Sequence, residues 1–267
     1  MDSLLGMPAQ ASGHAAAVDN MMALVHLLML LLLVGWSLYF VYVLFRFSRK
    51  RNPKADPQGT RTHASSYVEA GVAIFEAVLL LGFSIPLWAD RVAEFPDESE
   101  ALTIRVVAQQ FVWNVHYAGA DGVFGRTSGD LIDAQSNPIG LDSDDPNAAD
   151  DVVSVSLLHV PVNAPIVVRL SSMDVIHSFS LNEMRVKQDA VPGIEIPLWF
   201  VPMLTTEQMR KQSGNHDFNY EIACAQLCGI GHATMRGLMI VETQQEFDAW
   251  LAQKVQEKSQ FADPFFN

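Results

Sequence analysis

Cysteine is scarce in this chain: only Cys224 and Cys228 occur among 267 residues. A scaffold stapled by several disulfides is therefore excluded, leaving one disulfide or one shared metal site. Positive charge is also scarce. Lys and Arg total 17 against 30 Asp and Glu, a formal net charge of −13. That balance argues against a nucleic-acid partner and for a basic partner or simple solubility. No C-x-x-C-H run is present, so no c-type haem is attached. Residues 1–20 hold Asp2 and Asp19 but no Lys or Arg, which removes the basic leader of a secretory signal. No internal repeat is visible, which speaks against a propeller.

What is abundant is apolar length. Residues 21–45 contain no charged side chain, only His26, and are rich in Leu. At about 1.5 Å per residue such a helix exceeds a hydrocarbon core of roughly 30 Å. Residues 67–90 form a second candidate span, interrupted by Glu69 and Glu76. Between the two lie Arg46, Arg49, Lys50, Arg51, Lys54 and Arg61, the excess expected of a cytoplasmic loop. The expected organisation is an external lead (1–20), a first span (21–45), a cytoplasmic loop (46–66), a second span (67–90), an exported domain (91–242) and a C-terminal helix and tail (243–267). Both termini and the domain are expected on the periplasmic side of a bacterial inner membrane. Ionisable groups within a span are costly, so Glu69 and Glu76, two helical turns apart on one face, are functional candidates.

From residue 101 the pattern becomes that of short strands. Runs at 102–108, 152–157, 165–170, 179–181, 194–200, 218–222 and 238–241 alternate or are β-branched, and Gly, Pro, Asn and Asp separate them. This reads as a sandwich or barrel. Residues 243–258 read as an amphipathic helix with Phe247, Trp250, Leu251 and Val255 on one face. The acidic stretch 130–151 lacks the ordered spacing of a calcium loop and reads as a solvated insertion. His14, His63, His116 and His216 read as solvated, and His159 as structural.

The chemistry concentrates in Cys224-Ala225-Gln226-Leu227-Cys228-Gly229-Ile230-Gly231-His232-Ala233-Thr234-Met235. Two thiols, an imidazole and a thioether in one loop are the soft and borderline donors that select copper over magnesium, calcium or manganese. Such a set serves electron transfer rather than hydrolysis. A blue-copper site needs one thiolate, so the second points to two copper ions sharing bridging sulfurs. A further imidazole must then come from elsewhere, and Asp174-Val175-Ile176-His177-Ser178-Phe179 can supply His177. A disulfide leaves the neighbouring His and Met unexplained. Zinc leaves Met235 unused, since a thioether is a poor zinc ligand. A metal loop between the last two strands is what a cupredoxin Greek-key barrel shows. The expected fold is thus an N-terminal two-helix transmembrane hairpin plus an all-β cupredoxin-like Greek-key barrel.

These motifs resemble those of subunit II of the haem–copper cytochrome c oxidases, whose copper loop reads C-x-E/Q-x-C-x-x-x-H-x-x-M after an upstream D-V-x-H-S-F/W. The linking Lys187-Gln188-Asp189-Ala190-Val191-Pro192-Gly193 is similar to the family's K-x-D-A-x-P-G, and the resemblance runs from Met21 to about Glu242. It implies a binuclear copper centre (CuA) with Cys224 and Cys228 bridging. His177 and His232 would bind one ion each, with Met235 and the carbonyl of Gln226 as weak ligands. It implies a haem-bearing subunit I, a subunit III, and a cytochrome c or cytochrome c domain as donor. Oxygen would be reduced to water, with proton pumping, in the partner subunit. Gln226 stands where many relatives carry a Glu that also binds magnesium; a neutral amide suits that cation poorly, so magnesium is not among the expected cofactors. Gln110-Phe111-Val112-Trp113 is similar to the family's Q-W-x-W, in which the first Trp takes up electrons from cytochrome c. Here that position is Phe111, while Trp113 matches the second, so a donor tethered in another membrane complex is expected. Glu69 matches the family's Glu at the mouth of a proton path. A quinol oxidase subunit would lack the copper ligands, and a copper chaperone would not need Glu69 in a span.

Overall fold

The computed structural model describes residues 6–54, 57–59, 62–97, 99–133 and 135–261, with side chains to 258. Arg61, counted in the expected loop charge, and Glu98, at the expected domain boundary, lie outside the described residues. The chain divides into two compact units. One comprises residues 16–93; the other comprises the N-terminal segment to Ala15 together with everything from Glu94 onward.

The first unit is helical. Helix α1 (Ala15–Arg46) is 32 residues long, about 48 Å at the usual rise. Helix α2 (Ala64–Leu79) continues through a π-turn at Leu80–Ser84 into α3 (Ile85–Val92). Pro86 is tolerated there because it falls in the first turn of α3. Both helical runs are long and apolar enough to cross a membrane. Their Leu and Phe side chains point outward, as Leu33, Phe40 and Leu81 show, which a bilayer would satisfy and water would not. Glu69 and Glu76 are exposed on α2.

The second unit is a cupredoxin-like Greek-key barrel of two five-stranded sheets. The first has the order β3-β2-β1-β5-β8, the second β4-β10-β9-β6-β7. The strands are β1 (Leu102–Gln109), β2 (Val112–Tyr117), β3 (Val152–Val155), β4 (Leu157–Pro161), β5 (Ile166–Ser172), β6 (His177–Leu181), β7 (Val186–Ala190), β8 (Ile196–Phe200), β9 (Tyr220–Cys224) and β10 (Arg236–Glu242). The pairs β1/β5 and β4/β10 are parallel, and the other pairs are antiparallel. Alternation sends Ile104, Val106 and Ala108 inward from β1, where they meet Phe179, Leu181, Phe200 and Ile222 in one core. A short helix α4 (Thr206–Ser213) opens with a capping box of Thr205 and Gln208. The C-terminal helix α5 (Gln244–Phe261) lays Phe247, Trp250, Leu251 and Val255 against the barrel.

Two features were unforeseen, and one contradicts expectation. The N-terminal lead is fastened to the barrel. Ala11 N–H donates to Glu183 O and Met203 N–H to Ala11 O, at 2.9 and 2.8 Å, and Ser12 Oγ donates to the Met184 carbonyl at 2.7 Å. The acidic insertion is built by its carboxylates rather than merely carrying them. Asp150 accepts from the N–H groups of Ala120 and Asp121, and Asp145 from that of Arg126. Finally, His116 is buried, not solvated. Its Nε2 lies 2.6 Å from Asp151 Oδ2, with both side chains shielded from water, and Asp151 also accepts from Gly125 N–H.

Burial outweighs the Asp151 contact and holds the His116 imidazole below its usual pKa. The unfolded chain then binds the extra proton more readily than the folded one. Stability contributed by this group is present above about pH 6.5, the unfolded value, and is lost as pH falls below it. The melting temperature of the barrel should fall between pH 7 and 5, and His116→Gln should flatten that fall. An identical pH slope in the variant would contradict it.

Candidate metal centre

The copper-type donors converge at one end of the barrel because three connections meet there. The β5–β6 connection delivers His177 at the first position of β6, fully buried. Strand β9 ends at Cys224, which its pairing with β6 sets opposite Phe179. The chain then makes a tight loop, with Ala225 N–H donating to Ser178 O at 2.9 Å. It returns through a 3-10 turn (His232–Thr234) to Met235, just before β10.

The sulfurs of Cys224 and Cys228 are 3.7 Å apart, and both thiols are free. Each sulfur has its own imidazole. His177 Nδ1 is 3.9 Å from Cys224, and His232 Nδ1 is 3.6 Å from Cys228. Each also has its own weak donor: the Gln226 carbonyl lies 3.2 Å from Cys224, and Met235 Sδ 3.8 Å from Cys228. The ligand atoms of His177, Cys224 and Cys228 all fall within 4.8 Å of one another. Burial and the neighbouring Cys224 thiol push the Cys228 thiol up to about 11, so Cys228 keeps its proton in the metal-free centre. A cation that binds this sulfur as a thiolate must displace that proton.

Two residues without an assigned role in the sequence motifs hold this arrangement. Asp174 Oδ1 lies 2.8 Å from His177 Nε2. A proton on Nε2 leaves the Nδ1 lone pair facing the sulfurs. Burial works against ionisation of Asp174. Hydrogen bonds from His177 and from the N–H groups of Gln110 and Val175 outweigh it and keep the carboxyl below its usual pKa. Gln110 N–H donates to Asp174 Oδ2 at 2.7 Å, and Gln110 Nε2 donates to the Cys228 carbonyl at 2.6 Å. Asp174 lay inside a recognised motif three residues before His177, so its spacing was visible; the Gln110 contact joins residues 118 apart and had no local signal.

Trp113 is fully buried beneath the centre, with its ring edge-on to His177 at 6.2 Å and to Phe179 at 5.4 Å. Phe111 is half-buried and touches the ligand loop itself. Leu227 and Ile230 stand exposed on that loop. Glu69 belongs to the helical unit and is not among the residues brought together here.

A family model described as "Cytochrome C oxidase subunit II, periplasmic domain" matches residues 102–243. The "Alternative cytochrome c oxidase subunit 2" of Bradyrhizobium diazoefficiens is 32% identical over 220 residues, covering 81% of this chain and 73% of that protein. The "Cytochrome c oxidase subunit 2" of Cereibacter sphaeroides is 30% identical over 229 residues, covering 81% and 69%. Among solved structures, the periplasmic domain of subunit II of cytochrome oxidase from Bradyrhizobium japonicum is similar, at 28% identity and a TM-score of 0.40, over 58% of this chain and 94% of that one. Fold and donor set together define a membrane-anchored, cupredoxin-type copper protein. The chain belongs to the cytochrome c oxidase subunit II family, a component of an oxidoreductase complex that includes a subunit I.

Packing of Phe111 on the ligand loop yields a direct test. A Cβ added at Gly231 would come within 2.5 to 2.8 Å of the Phe111 ring. Gly231→Ala should therefore destabilise the detergent-solubilised chain by about 1–3 kcal/mol through overpacking. Adding Phe111→Leu should recover part of the loss. A denaturant midpoint unchanged by Gly231→Ala would show that the loop and ring do not pack as described.

Proposed function

We propose that this chain is the electron-accepting subunit of a proton-pumping terminal oxidase, and that it holds two copper ions in a CuA centre. The observation that carries the reading is the pairing at the site: two thiols side by side, each with its own imidazole and its own weak donor. Cys224 and Cys228 would be shared as thiolates, His177 and the Gln226 carbonyl would serve one ion, and His232 and Met235 the other. A single zinc ion would use His177, Cys224 and Cys228 but would leave Met235 without purpose. Bound copper would take up and release single electrons in a site that changes shape little. The protein's part is rigidity. Asp174 keeps His177 aimed, Gln110 anchors the Cys228 backbone, and burial shields His177, Cys228 and Met235 from water.

The rest of the proposal concerns partners and placement. Electrons would come from a cytochrome c or cytochrome c domain by way of Phe111, the half-buried ring against the ligand loop, with Trp113 packed behind the centre. They would pass to haem in subunit I, where oxygen is reduced to water; a subunit III is a further expected partner. The barrel would face the periplasm. The lead, hydrogen-bonded to the barrel, would share its side of the membrane, as two spans require, and the Lys- and Arg-rich loop between the spans favours the cytoplasm for the opposite side. Glu69, in the second turn of α2, would then stand near the cytoplasmic end and supply protons to subunit I.

Cys228→Ser should abolish the pair, whereas Met235→Leu should keep both ions and shift the reduction potential, since a thioether tunes the metal rather than holding it. Copper analysis of the purified full chain checks this. One ion per wild-type chain, or equal loss in both variants, would overturn the assignment.

The assembled oxidase tests the partner claims. Leu227 and Ile230 leave the loop tip apolar, and no Lys or Arg occurs from Cys224 to Met235. A tethered donor relies on effective concentration rather than charge steering. Turnover with a small basic cytochrome c should therefore be slow and change little with ionic strength. Fast turnover that collapses with salt would restore a freely diffusing donor. In the same assay Glu69→Gln should lower turnover with the copper spectrum intact; unchanged turnover would remove Glu69 from the proton path.

A further inference from the structure

Away from the metal centre, a cavity of about 300 Å³ opens on the outer face of the β1/β5 pair. Thr103 and Arg105 of β1 project on the face opposite to Ile104 and Val106, and Arg169 is the register partner of Arg105 on the parallel neighbour β5. All three of Thr103, Arg105 and Arg169 line the cavity. Adjacent strands lie about 4.8 Å apart, so two guanidinium groups share one small space. Such an arrangement is repulsive unless something neutralises it.

Arg105 carries the argument. Its guanidinium stacks on the Phe124 ring, 4.3 Å from the centroid, which fixes its plane. Its Nε is shut off from water and has no hydrogen-bond acceptor among the described residues. A guanidinium offers five donors, and a buried Nε–H without an acceptor is costly. Arg169 has Glu195 at 3.3 Å, but both side chains of that pair are more than a third exposed. An incoming anion can compete with a contact of that kind. The Arg105 side of the cavity is therefore locally positive, with Glu195 on Arg169 and the Asp150 carboxylate behind Gly119 at its edges, on a chain of net charge −13.

We propose that Arg105 and Arg169 bind a phosphate group in this cavity, with the Thr103 hydroxyl as an additional donor. A carboxylate satisfies one guanidinium fork in its own plane. A tetrahedral phosphate presents oxygens in several directions and can bridge two forks that are not coplanar. Two sources share this chemistry: free inorganic phosphate, and the headgroup of an anionic phospholipid. The second is available to a membrane-anchored chain. It is also served by an adjoining hollow lined by Phe95, Pro96, Val167 and Pro197, with the Glu195 carboxylate at the wall beside Arg169, which shares Thr103 and Arg169 with the cavity.

The test is calorimetric titration of the full copper-loaded chain in maltoside detergent and phosphate-free buffer. One arm uses inorganic phosphate, the other dihexanoyl phosphatidylglycerol below its micellar concentration. Saturable binding is expected in at least one arm, weakened about ten- to a hundredfold by Arg105→Gln, as loss of a charge-assisted hydrogen bond implies. Binding of inorganic phosphate identifies the free anion as the source; binding of the short-chain lipid alone identifies the headgroup. Arg169→Gln, at a more exposed position, gives the same readout should Arg105→Gln fail to fold. Absence of saturable heat in both arms, or affinities unchanged by Arg169→Gln, overturns the proposal.

Discussion

The carboxylate of Asp174 ties together the three connections that build the metal centre. One oxygen faces the outer nitrogen of His177; the other accepts from the backbone of Gln110. Gln110 in turn reaches across to the carbonyl of Cys228. Each connection by itself is short, and the one between β9 and β10 carries Gly229 and Gly231, with little reason to hold one shape. Joined through Asp174 and Gln110, they form a closed set in which the imidazole, the sulfurs and the Phe111 ring have fixed neighbours. The proposed redox centre would need this, because any rearrangement between oxidation states adds to the barrier for moving an electron. The barrel supplies stiffness to the ends of the loops, and the hydrogen bonds supply it to the loops themselves.

Much of the architecture was legible in the sequence, and the exceptions have physical causes. The apolar runs and the β-branched strands declared themselves because one solvent or one core face dominates each. Strand β2 did not. Its Asn114 and His116 are buried along with Trp113, Val115 and Tyr117, so no alternation marks it. Phe124 and, from the acidic insertion, Asp151 cover its outer side at His116. Strand β7 is the opposite case: an edge strand whose Lys187 faces solvent, read as a motif rather than as a strand. The lead was opaque because the bonds that hold it at Ala11 and Ser12 each use a main-chain group on at least one side, and the Ser12 hydroxyl alone makes no side-chain pattern.

The donor set was readable for a different reason. Thiols, imidazole and thioether have few uses in common, so their spacing alone narrowed the chemistry. What spacing could not show was which sulfur serves which imidazole, or that Asp174 and Gln110 brace the site, since those relations depend on contacts between distant segments. His159 illustrates the same limit at a structural position. It stacks on Trp250 at 4.1 Å and bonds Glu242, pinning α5 to the barrel, and nothing near it in sequence announces either partner.

The central claim is that both sulfurs serve a pair of copper ions sharing one electron deficit. Electron paramagnetic resonance of the oxidised, copper-loaded full chain tests it most directly. An unpaired electron spread equally over two copper nuclei gives a hyperfine pattern of equally coupled nuclei, with splittings smaller than those of a mononuclear site. That is the predicted spectrum. A pattern from a single copper nucleus, obtained with the site fully loaded, would contradict the account.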